Sequence, residues 1–290
     1  MMFTAEFIAD LSNKAAGVPH ISEFMGAVQR GCTEDNVIMN VLTVRMCRHN
    51  ESVFSMKKTF SQLISVVDLG NLGILAPHKT KYYNHYNIDW LIETVNADKQ
   101  LKYITFWHEG KEYPNHYFSQ WYQGKPFSVN GRSYLTAEQY MMSEKALLFK
   151  DLYHYGLIME EPSPKKCKDL GRLVSGFEST TWDNALREII FHGNLGKFQS
   201  DIALVDALLE TENAVLIEAS PYDGIYGAGL AESDLLNPNG SLKVQPENWK
   251  NPKNGTQATN HLGFVLMGIR DLFRQLMGHS WRPGEEYKPL

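Results

Sequence analysis

The spacing of apolar residues changes at about residue 100, and the two regions predict different elements. In the first region, runs rich in Val, Ile, Thr and Phe at 37–48 and 53–69 favour strands. Apolar residues at helical spacing predict a short amphipathic helix over 3–11 and a helical turn or two over 89–95. No catalytic signature occurs here, so we interpret residues 1–100 as a small N-terminal α/β extension with an accessory role.

Beyond residue 100 the apolar positions recur mainly at helical spacing. Strands are predicted at 101–107 and 214–218, and Asn130-Gly131 between two β-prone segments predicts a hairpin. Helices are predicted from Thr136, over 163–171, over 182–192 with Gly193 as its end, over 197–210 and over 260–277. Residues 101–278 are therefore expected to form a mostly helical α+β domain with a small β-sheet, followed by a flexible tail at 279–290.

The overall composition restricts the classes of function without selecting one. The 290 residues carry a net charge of −5, which argues against strong, sequence-independent binding to long nucleic acid. No apolar run approaches the roughly 18 residues of a membrane span, and the first residues lack the features of a secretory signal. Cys32, Cys47 and Cys167 have no paired spacing, so we expect reduced thiols in a cytoplasmic protein with no membrane partner.

Glu138 is the first candidate for chemistry, because it follows the predicted hairpin and opens a predicted helix. Glu138 and Lys145 fall on one side of that helix, about 10 Å apart along its axis, which suits two groups that flank a ribose phosphate. The alternative is that an acid in a first helical turn is favoured by the helix dipole and needs no function.

The segment 215–229 carries the second set of candidates. A strand ends at Glu218, and a turn rich in Gly and Pro follows with Asp223, Tyr226 and Gly227. Functional residues concentrate on loops held at the end of a rigid strand, and a glycine lets a backbone approach a ligand closely. The alternative is an ordinary turn in which Asp223 caps its own backbone.

The segment 193–197, Gly-Asn-Leu-Gly-Lys, is predicted to join two helices. Amides at the start of the second helix, with the Lys197 ammonium, would suit a phosphate, although a plain glycine stop and helix restart explains the pattern equally well. Trp121, Tyr122 and Tyr226 are candidates for stacking on a base, whereas core packing is the favoured interpretation of Trp182. No histidine or cysteine has a second ligand at a recognised spacing, so we predict no metal.

Several separate segments, taken in their order along the chain, carry a family resemblance. They read FSQWY, NG, AEQYMMSEKA, LGR, W, GNLGKF, EASPYDGIYGAGL and NHLGFVLMGIR. This order resembles the NADAR (YbiA-like) family over about 105–273. The resemblance implies a mostly helical α+β fold and an N-glycosidase, without a cofactor, that cleaves the bond between a ribose phosphate and a base. Substrates of the family include phosphoribosylamino-pyrimidines of the riboflavin pathway and ADP-ribose attached to guanine in nucleic acid.

The resemblance also implies site residues, position by position. Glu138 matches the motif glutamate, Glu218 the strand-end acid, Asp223 the turn acid and Lys197 the lysine on the phosphate side. Tyr226 stands where the family often has Trp. The first hundred residues and the long loop at 231–259 depart from the minimal form of the family.

The combined hypothesis gives each candidate a role at an oxocarbenium-like transition state. Glu138 activates water or stabilises the cation, Asp223 or else Glu218 orients the ribose hydroxyls, and Tyr226 stacks on the leaving base. The remaining predicted substrate contacts are Lys145, Arg172, Asn194, Lys197, Trp121 and Gly227. The expected partner is a small nucleotide-like substrate, ADP-ribose or a ribosyl phosphate, or an ADP-ribosylated nucleic-acid base.

Three alternatives remain at this stage. One is a module that binds ADP-ribose or NAD without cleaving it. Another is a regulatory or toxin-neutralising protein that acts on modified nucleic acid, and the last is a purely structural interaction protein. Release of free base over multiple turnovers would separate the enzyme from the binding module.

Overall fold

The computed structural model describes residues 84–97, 100–129 and 132–276. The helix expected at 3–11, the strands at 37–48 and 53–69, Cys32, Cys47 and the tail at 279–290 lie outside this part. The helices are α1 (Ile88–Asn96), α2 (Ala137–Leu148), α3 (Leu152–Glu160), α4 (Pro164–Arg172), α5 (Ser179–Gln199), α6 (Ile202–Leu209), α7 (Glu232–Leu235) and α8 (His261–Leu276). The strands are β1 (Tyr103–Phe106), β2 (Phe127–Val129), β3 (Arg132–Tyr134) and β4 (Val215–Glu218).

The prediction of a mostly helical region with a small sheet is confirmed for the described residues. Those up to Arg270 belong to one compact unit and those from Asp271 onward to a second, and every feature of the site below lies in the first. Short 3₁₀ turns at His116–Phe118 and Pro246–Asn248 complete the elements. None of the described helices is both long and apolar enough to cross a bilayer.

Two helix starts follow from their capping residues. Thr136 Oγ1 accepts from Gln139 N at 3.1 Å, and Gln139 Oε1 accepts from Leu135 N at 2.8 Å, so the two residues cap α2 together. Ser163 caps α4 in front of Pro164, as the sequence predicts. Helix α3 was not predicted, because its apolar residues are not sorted onto one side.

The break predicted at Gly193 is wrong, because α5 continues without interruption from Ser179 to Gln199. Its two glycines serve close packing. A Cβ on Gly193 would meet the ring of Tyr140 in α2, and one on Gly196 would lie 2.8 Å from Val129 Cγ2 in β2. The glycines therefore let α5 approach its neighbours, and a new helix begins only at Ile202, capped by Asp201.

Strands β1 and β4 pair in parallel, with Phe106 opposite Glu218, so their carboxyl ends lie together. Asn260, just before α8, occupies the other edge of β4. Its Oδ1 accepts from Glu218 N at 3.0 Å and its Nδ2 donates to Leu216 O at 2.9 Å. The backbone at Glu218 is thus fixed from both sides.

Strands β2 and β3 form the predicted antiparallel hairpin, with Val129 opposite Arg132. The two turn residues, Asn130 and Gly131, lie outside the described residues. The stretch 231–259, expected to be a loop, contains α7 and a 3₁₀ turn. It is held by Trp249, which is fully buried and donates its Nε1 proton to Val244 O at 3.0 Å.

Candidate active site

Glu138 lies in the first turn of α2 and is almost completely buried. Its backbone amide donates to Gln120 O at 3.0 Å, which ties α2 to the loop that carries Trp121. Its Oε1 has no hydrogen-bond partner among the described residues. Burial raises the pKa of Glu138 to about 7, against the opposing effects of the Lys168 charge and of a donor interaction from the Trp121 side chain. A buried carboxyl that titrates near neutrality is suited to proton transfer.

Glu218 is the last residue of β4, and its carboxyl lies near that of Glu138. Its Oε2 is shielded from solvent and has no hydrogen-bond partner within the described chain. Burial raises the pKa of Glu218 to about 8, and the charges of Asp223 and Glu138 act in the same direction. Lys168 and Lys197 act in the opposite direction. The mutual influence of the three acids shows that β4, its turn and α2 bring them together.

Asp223 gives its two carboxylate oxygens separate partners. Oδ1 accepts from the backbone amides of Ile225 and Tyr226, both at 3.0 Å. Oδ2 forms an ion pair with Lys168 Nζ at 3.6 Å. One oxygen therefore caps the turn, as the simpler interpretation of the sequence expected, and the other pairs with a cation beside the two glutamates.

Lys168 of α4 is the cation that the sequence analysis missed. Besides its ion pair with Asp223, its Nζ lies 5.8 Å from the centroid of the Trp121 ring. Its charge lowers the pKa of both Glu138 and Glu218, against the larger effect of burial. The spacing to Arg172 puts the two cations on one side of α4, but it does not show that this side faces the acids.

Aromatic side chains lie near these acids, which we define as the carboxylate cluster of Glu138, Glu218 and Asp223. Tyr226 is half-buried, and its pKa is raised well above its usual value by burial, with the charges of Glu138 and Asp223 adding to the rise. Trp182 is almost buried, as expected for a core residue, but its side chain also interacts with the Tyr226 hydroxyl as a donor. Trp121 is half-buried beside Glu138.

Lys145 and Arg172 lie toward the other end of α2 and α4. Lys145 Nζ donates to Gly171 O at 2.8 Å and lies 4.3 Å from the centroid of the Phe177 ring. Burial lowers the pKa of Lys145, and the Arg172 charge lowers it further. Arg172 is exposed and pairs with Asp169 at 2.8 Å. Arg172 also lowers the pKa of Glu138 slightly, which places it at the margin of the cluster.

Lys197 and Asn194 are interior residues of α5 and not parts of an interhelical loop. Lys197 Nζ donates to the carbonyls of Tyr117, Phe118 and Ser119 at 3.1, 3.4 and 3.0 Å. Asn194 Nδ2 donates to Gln120 Oε1 at 2.8 Å. Lys197 therefore holds the backbone of residues 117–119, and Asn194 holds the side chain of Gln120. The helix start that the sequence analysis placed at Lys197 does not form there, because Lys197 lies inside α5.

Gly227 is needed for a contact within the protein. A Cβ at this position would lie 2.5 Å from Glu218 O and 3.0 Å from Asp223 O. The turn is held further by α8, because His261 N and Leu262 N donate to the carbonyls of Ile225 and Tyr226 at 3.1 and 3.0 Å. The turn that carries Asp223 is thus held by contacts with Glu218 and with α8.

The carboxylate cluster lies beside Lys168, which is paired with Asp223, and beside the rings of Trp121 and Tyr226. The described residues contain no group of three or more His, Cys, Asp or Glu side chains placed to hold a metal ion. Cys167 is a free, buried thiol of α4, and burial raises its pKa to about 12. The chemistry available here is proton transfer and stabilisation of positive charge next to a planar group.

Comparisons with known proteins agree with this chemistry. The model of the NADAR domain matches residues 105–274. N-glycosidase R617 of Acanthamoeba polyphaga mimivirus is 39% identical over 180 residues, covering 59% of this chain and 95% of that protein. Protein irg-1 of Caenorhabditis elegans is 28% identical over 61% of this chain and 82% of its own length. N-glycosidase Npun_R5314 of Nostoc punctiforme is 27% identical over 49% of this chain and 76% of its own length.

The NMR structure of the E. coli protein YbiA is also similar, with 23% identity and a TM-score of 0.44 over 60% of this chain and 86% of that one. The names of two relatives confirm the prediction of an N-glycosidase-type enzyme at that level. The family model covers more than half of the chain and includes the whole carboxylate cluster and Lys168. This chain belongs to the NADAR family.

Proposed function

We propose that this protein hydrolyses the N-glycosidic bond between a phosphorylated ribose and a planar base. The observation that carries the proposal is Glu138 Oε1, a buried carboxylate oxygen without a partner next to Asp223, Lys168 and two half-buried rings. A buried polar atom without a partner is costly, and a bound substrate or water would supply the missing hydrogen bond.

Glu138 is the proposed base. Hydrolysis of a ribosyl bond passes through an oxocarbenium-like state, in which positive charge develops on the sugar while water approaches the anomeric carbon. An ionised Glu138 takes a proton from that water and stabilises the charge on the sugar. Its pKa of about 7 leaves a substantial fraction ionised at neutral pH, so activity should rise as pH increases through this value.

The other groups of the site bind the two ends of the substrate. Asp223 Oδ2, exchanging its contact with Lys168, accepts from a ribose hydroxyl, while Oδ1 keeps the turn in place. Lys168 and Arg172, one helical turn apart, then supply positive charge to the phosphate. Tyr226 and Trp121 flank the leaving base. In this arrangement Lys197 and Asn194 support the 117–120 loop and do not touch the phosphate.

Two substrate classes fit this assignment, a phosphoribosylamino-pyrimidine and ADP-ribose linked to guanine in nucleic acid. A net charge of −5 disfavours broad affinity for nucleic acid, but a single modified nucleotide needs only the local charge of Lys168 and Arg172. The proposal therefore concerns one nucleotide-sized unit, free or within a strand.

The test is to incubate the full-length protein separately with both compounds and with NAD, and to identify released products by mass spectrometry. Hydrolysis over many turnovers by the wild type is expected for at least one compound. Glu138→Gln should reduce turnover by about 10²–10⁴-fold without unfolding the protein, because that is the usual contribution of a positioned acid or base. Glu144→Gln, in the same helix and also partly buried, is the matched control and should remain active.

Two results would contradict the proposal. Stoichiometric binding of a compound without release of base would indicate a binding module. Unchanged turnover in Glu138→Gln would remove Glu138 from the mechanism while leaving the reaction class intact.

A further inference from the structure

Glu138 and Glu218 both have a buried carboxylate oxygen without a hydrogen-bond partner among the described residues, but the mechanism above gives a proton-transfer role only to Glu138. These oxygens are Oε1 of Glu138 and Oε2 of Glu218. The charges of Glu138 and of Asp223 both raise the pKa of Glu218, so the three carboxyl groups lie near one another. Two such acids around one substrate resemble the acid and base pair of a glycoside hydrolase.

The surroundings of the two acids favour the ionised form of Glu138 over the ionised form of Glu218. Glu138 lies in the first turn of α2, where the helix dipole favours a negative charge, and the Trp121 side chain is a donor beside it. Glu218 lies at the carboxyl end of a strand and has no comparable donor within the described chain. The asymmetry therefore has one backbone cause, the start of α2, and one side-chain cause, Trp121.

The charged groups around Glu218 come from four elements. Asp223 from its own turn and Glu138 from α2 disfavour its ionised form, whereas Lys168 from α4 and Lys197 from α5 favour it. Lys168 is already paired with Asp223 at 3.6 Å, and Lys197 Nζ donates to three backbone carbonyls. Neither cation is therefore committed to Glu218, and burial raises the pKa of Glu218 to about 8.

We infer that Glu218 is the general acid of the reaction and that Glu138 is its paired base. The inference rests on the proposed function. It assigns to Glu218 the proton that the leaving base requires, instead of the role in orienting ribose hydroxyls.

The proton transfers balance over one cycle. The bond between the anomeric carbon and the base nitrogen breaks, and its electron pair stays on the nitrogen, which takes the Glu218 proton. Water adds to the anomeric carbon and gives a proton to Glu138. The products are the neutral base and the free sugar hydroxyl. Glu138 then loses its proton to solvent, and Glu218 regains one, which restores the starting state.

The experiment compares two leaving groups in wild type and Glu218→Gln. One substrate is the N-linked compound that the wild type cleaves, and the other is the 4-nitrophenyl glycoside of the same sugar phosphate, whose leaving group departs as a stable anion. Glu218→Gln should lower kcat on the N-linked substrate by about 10²–10⁴-fold and have a much smaller effect on the nitrophenyl substrate. Glu138→Gln should lower both equally, and Glu144→Gln neither.

A pH profile of the N-linked reaction gives a second readout. Wild-type kcat/KM should rise through about 7 and fall above about 8, as Glu138 ionises and Glu218 loses its proton. Glu218→Gln should lose the falling limb. Equal losses on both leaving groups, or an unchanged falling limb, would overturn the inference and return Glu218 to a positioning role.

Thermal unfolding tests the protonation of Glu218 without any substrate. A carboxyl whose pKa is raised in the folded state binds its proton more tightly there, so its contribution to stability is lost as pH rises from the ordinary value of 4.5 to about 8. The unfolding temperature of Glu218→Gln should therefore rise relative to wild type between pH 5 and pH 8.5. A constant difference would show that Glu218 is already ionised. If the wild type cleaves no compound, the proposed function fails, but this measurement still decides the state of Glu218.

Discussion

Two segments of this protein have similar composition and different structures. Residues 193–197 and 220–227 each contain two glycines and a charged residue. The first lies inside α5, where its glycines meet Tyr140 and the β2 strand. The second is a turn at the end of β4, where Gly227 meets the backbone of Glu218 and Asp223.

The difference shows that a glycine in a sequence can indicate a close contact but does not identify the group that makes it. In α5 the neighbour is a side chain of the protein core. In the turn it is the backbone that carries two acids of the site. The charged residues of the two segments differ in the same way. Lys197 donates to three backbone carbonyls inside the protein. Asp223 forms an ion pair through one carboxylate oxygen with the half-exposed Lys168.

The largest effects should come from the two lysines. Lys197→Met leaves three buried carbonyls without a donor and should lower the free energy of unfolding by about 2–4 kcal/mol. Lys168→Met should leave stability nearly unchanged but reduce kcat/KM about 30-fold or more, since removing one partner of a charged contact costs roughly 2–5 kcal/mol. Urea unfolding and steady-state kinetics measure the two quantities.

The control for this pair is Lys166→Met, an exposed lysine in the same helix as Lys168. It should change neither stability nor activity. A stable Lys197→Met with impaired substrate binding would instead restore the phosphate-binding interpretation of the 193–197 segment.

Asp223 allows the two functions of the turn to be separated. In Asp223→Asn the amide oxygen can still accept from Ile225 N and Tyr226 N, but the charge beside Lys168 is lost. We expect unchanged thermal stability and a 10- to 100-fold lower kcat/KM, because a hydrogen bond to a charged group is worth about 1.5–3 kcal/mol. Asp223→Ala should lose stability as well. Equal stability of Asn and Ala variants would mean that the turn needs no cap.

The smallest effects should come from helical glycines that differ in their surroundings. Gly196→Ala places a Cβ 2.8 Å from Val129 and should destabilise the protein by about 1–3 kcal/mol through overpacking. Gly156→Ala in α3 meets nothing within 4 Å and should stabilise it by about 0.5–1 kcal/mol. Equal effects in thermal unfolding would contradict the packing role of the α5 glycines.

Local signals predicted most of the described fold. The caps at Thr136 and Ser163, the buried run at 215–218 and the hairpin around Asn130-Gly131 each act through neighbouring residues, so their elements appear near the expected positions. The continuity of α5 was not predictable, because the neighbours that require its glycines are distant in sequence. Helix α3 was missed because its position depends on packing and not on a pattern within it.

The site was predicted only in part, because local signals mark some of its residues and contacts between distant residues decide the others. Glu138, Glu218 and Asp223 stood out because each sits at a helix start, a strand end or a turn, and the structure brings them together. Lys168 did not stand out, since nothing in its own helix shows that α4 faces the turn after β4. Lys197 had the chemistry of a ligand contact, but its partners come from the 117–120 loop.

Asn260 has a consequence for how this protein can vary. The Asn260 side chain makes the hydrogen bonds to Leu216 O and Glu218 N that a neighbouring strand would make at this edge of β4. The chain between Glu218 and Asn260 therefore returns to a fixed anchor, whatever its length. The exposed residues 238–241, closed off by the bridge between Leu236 and Leu242, can be shortened or exchanged while Glu218 keeps its place. A fixed anchor and a variable surface turn are thereby separate parts of one continuous segment.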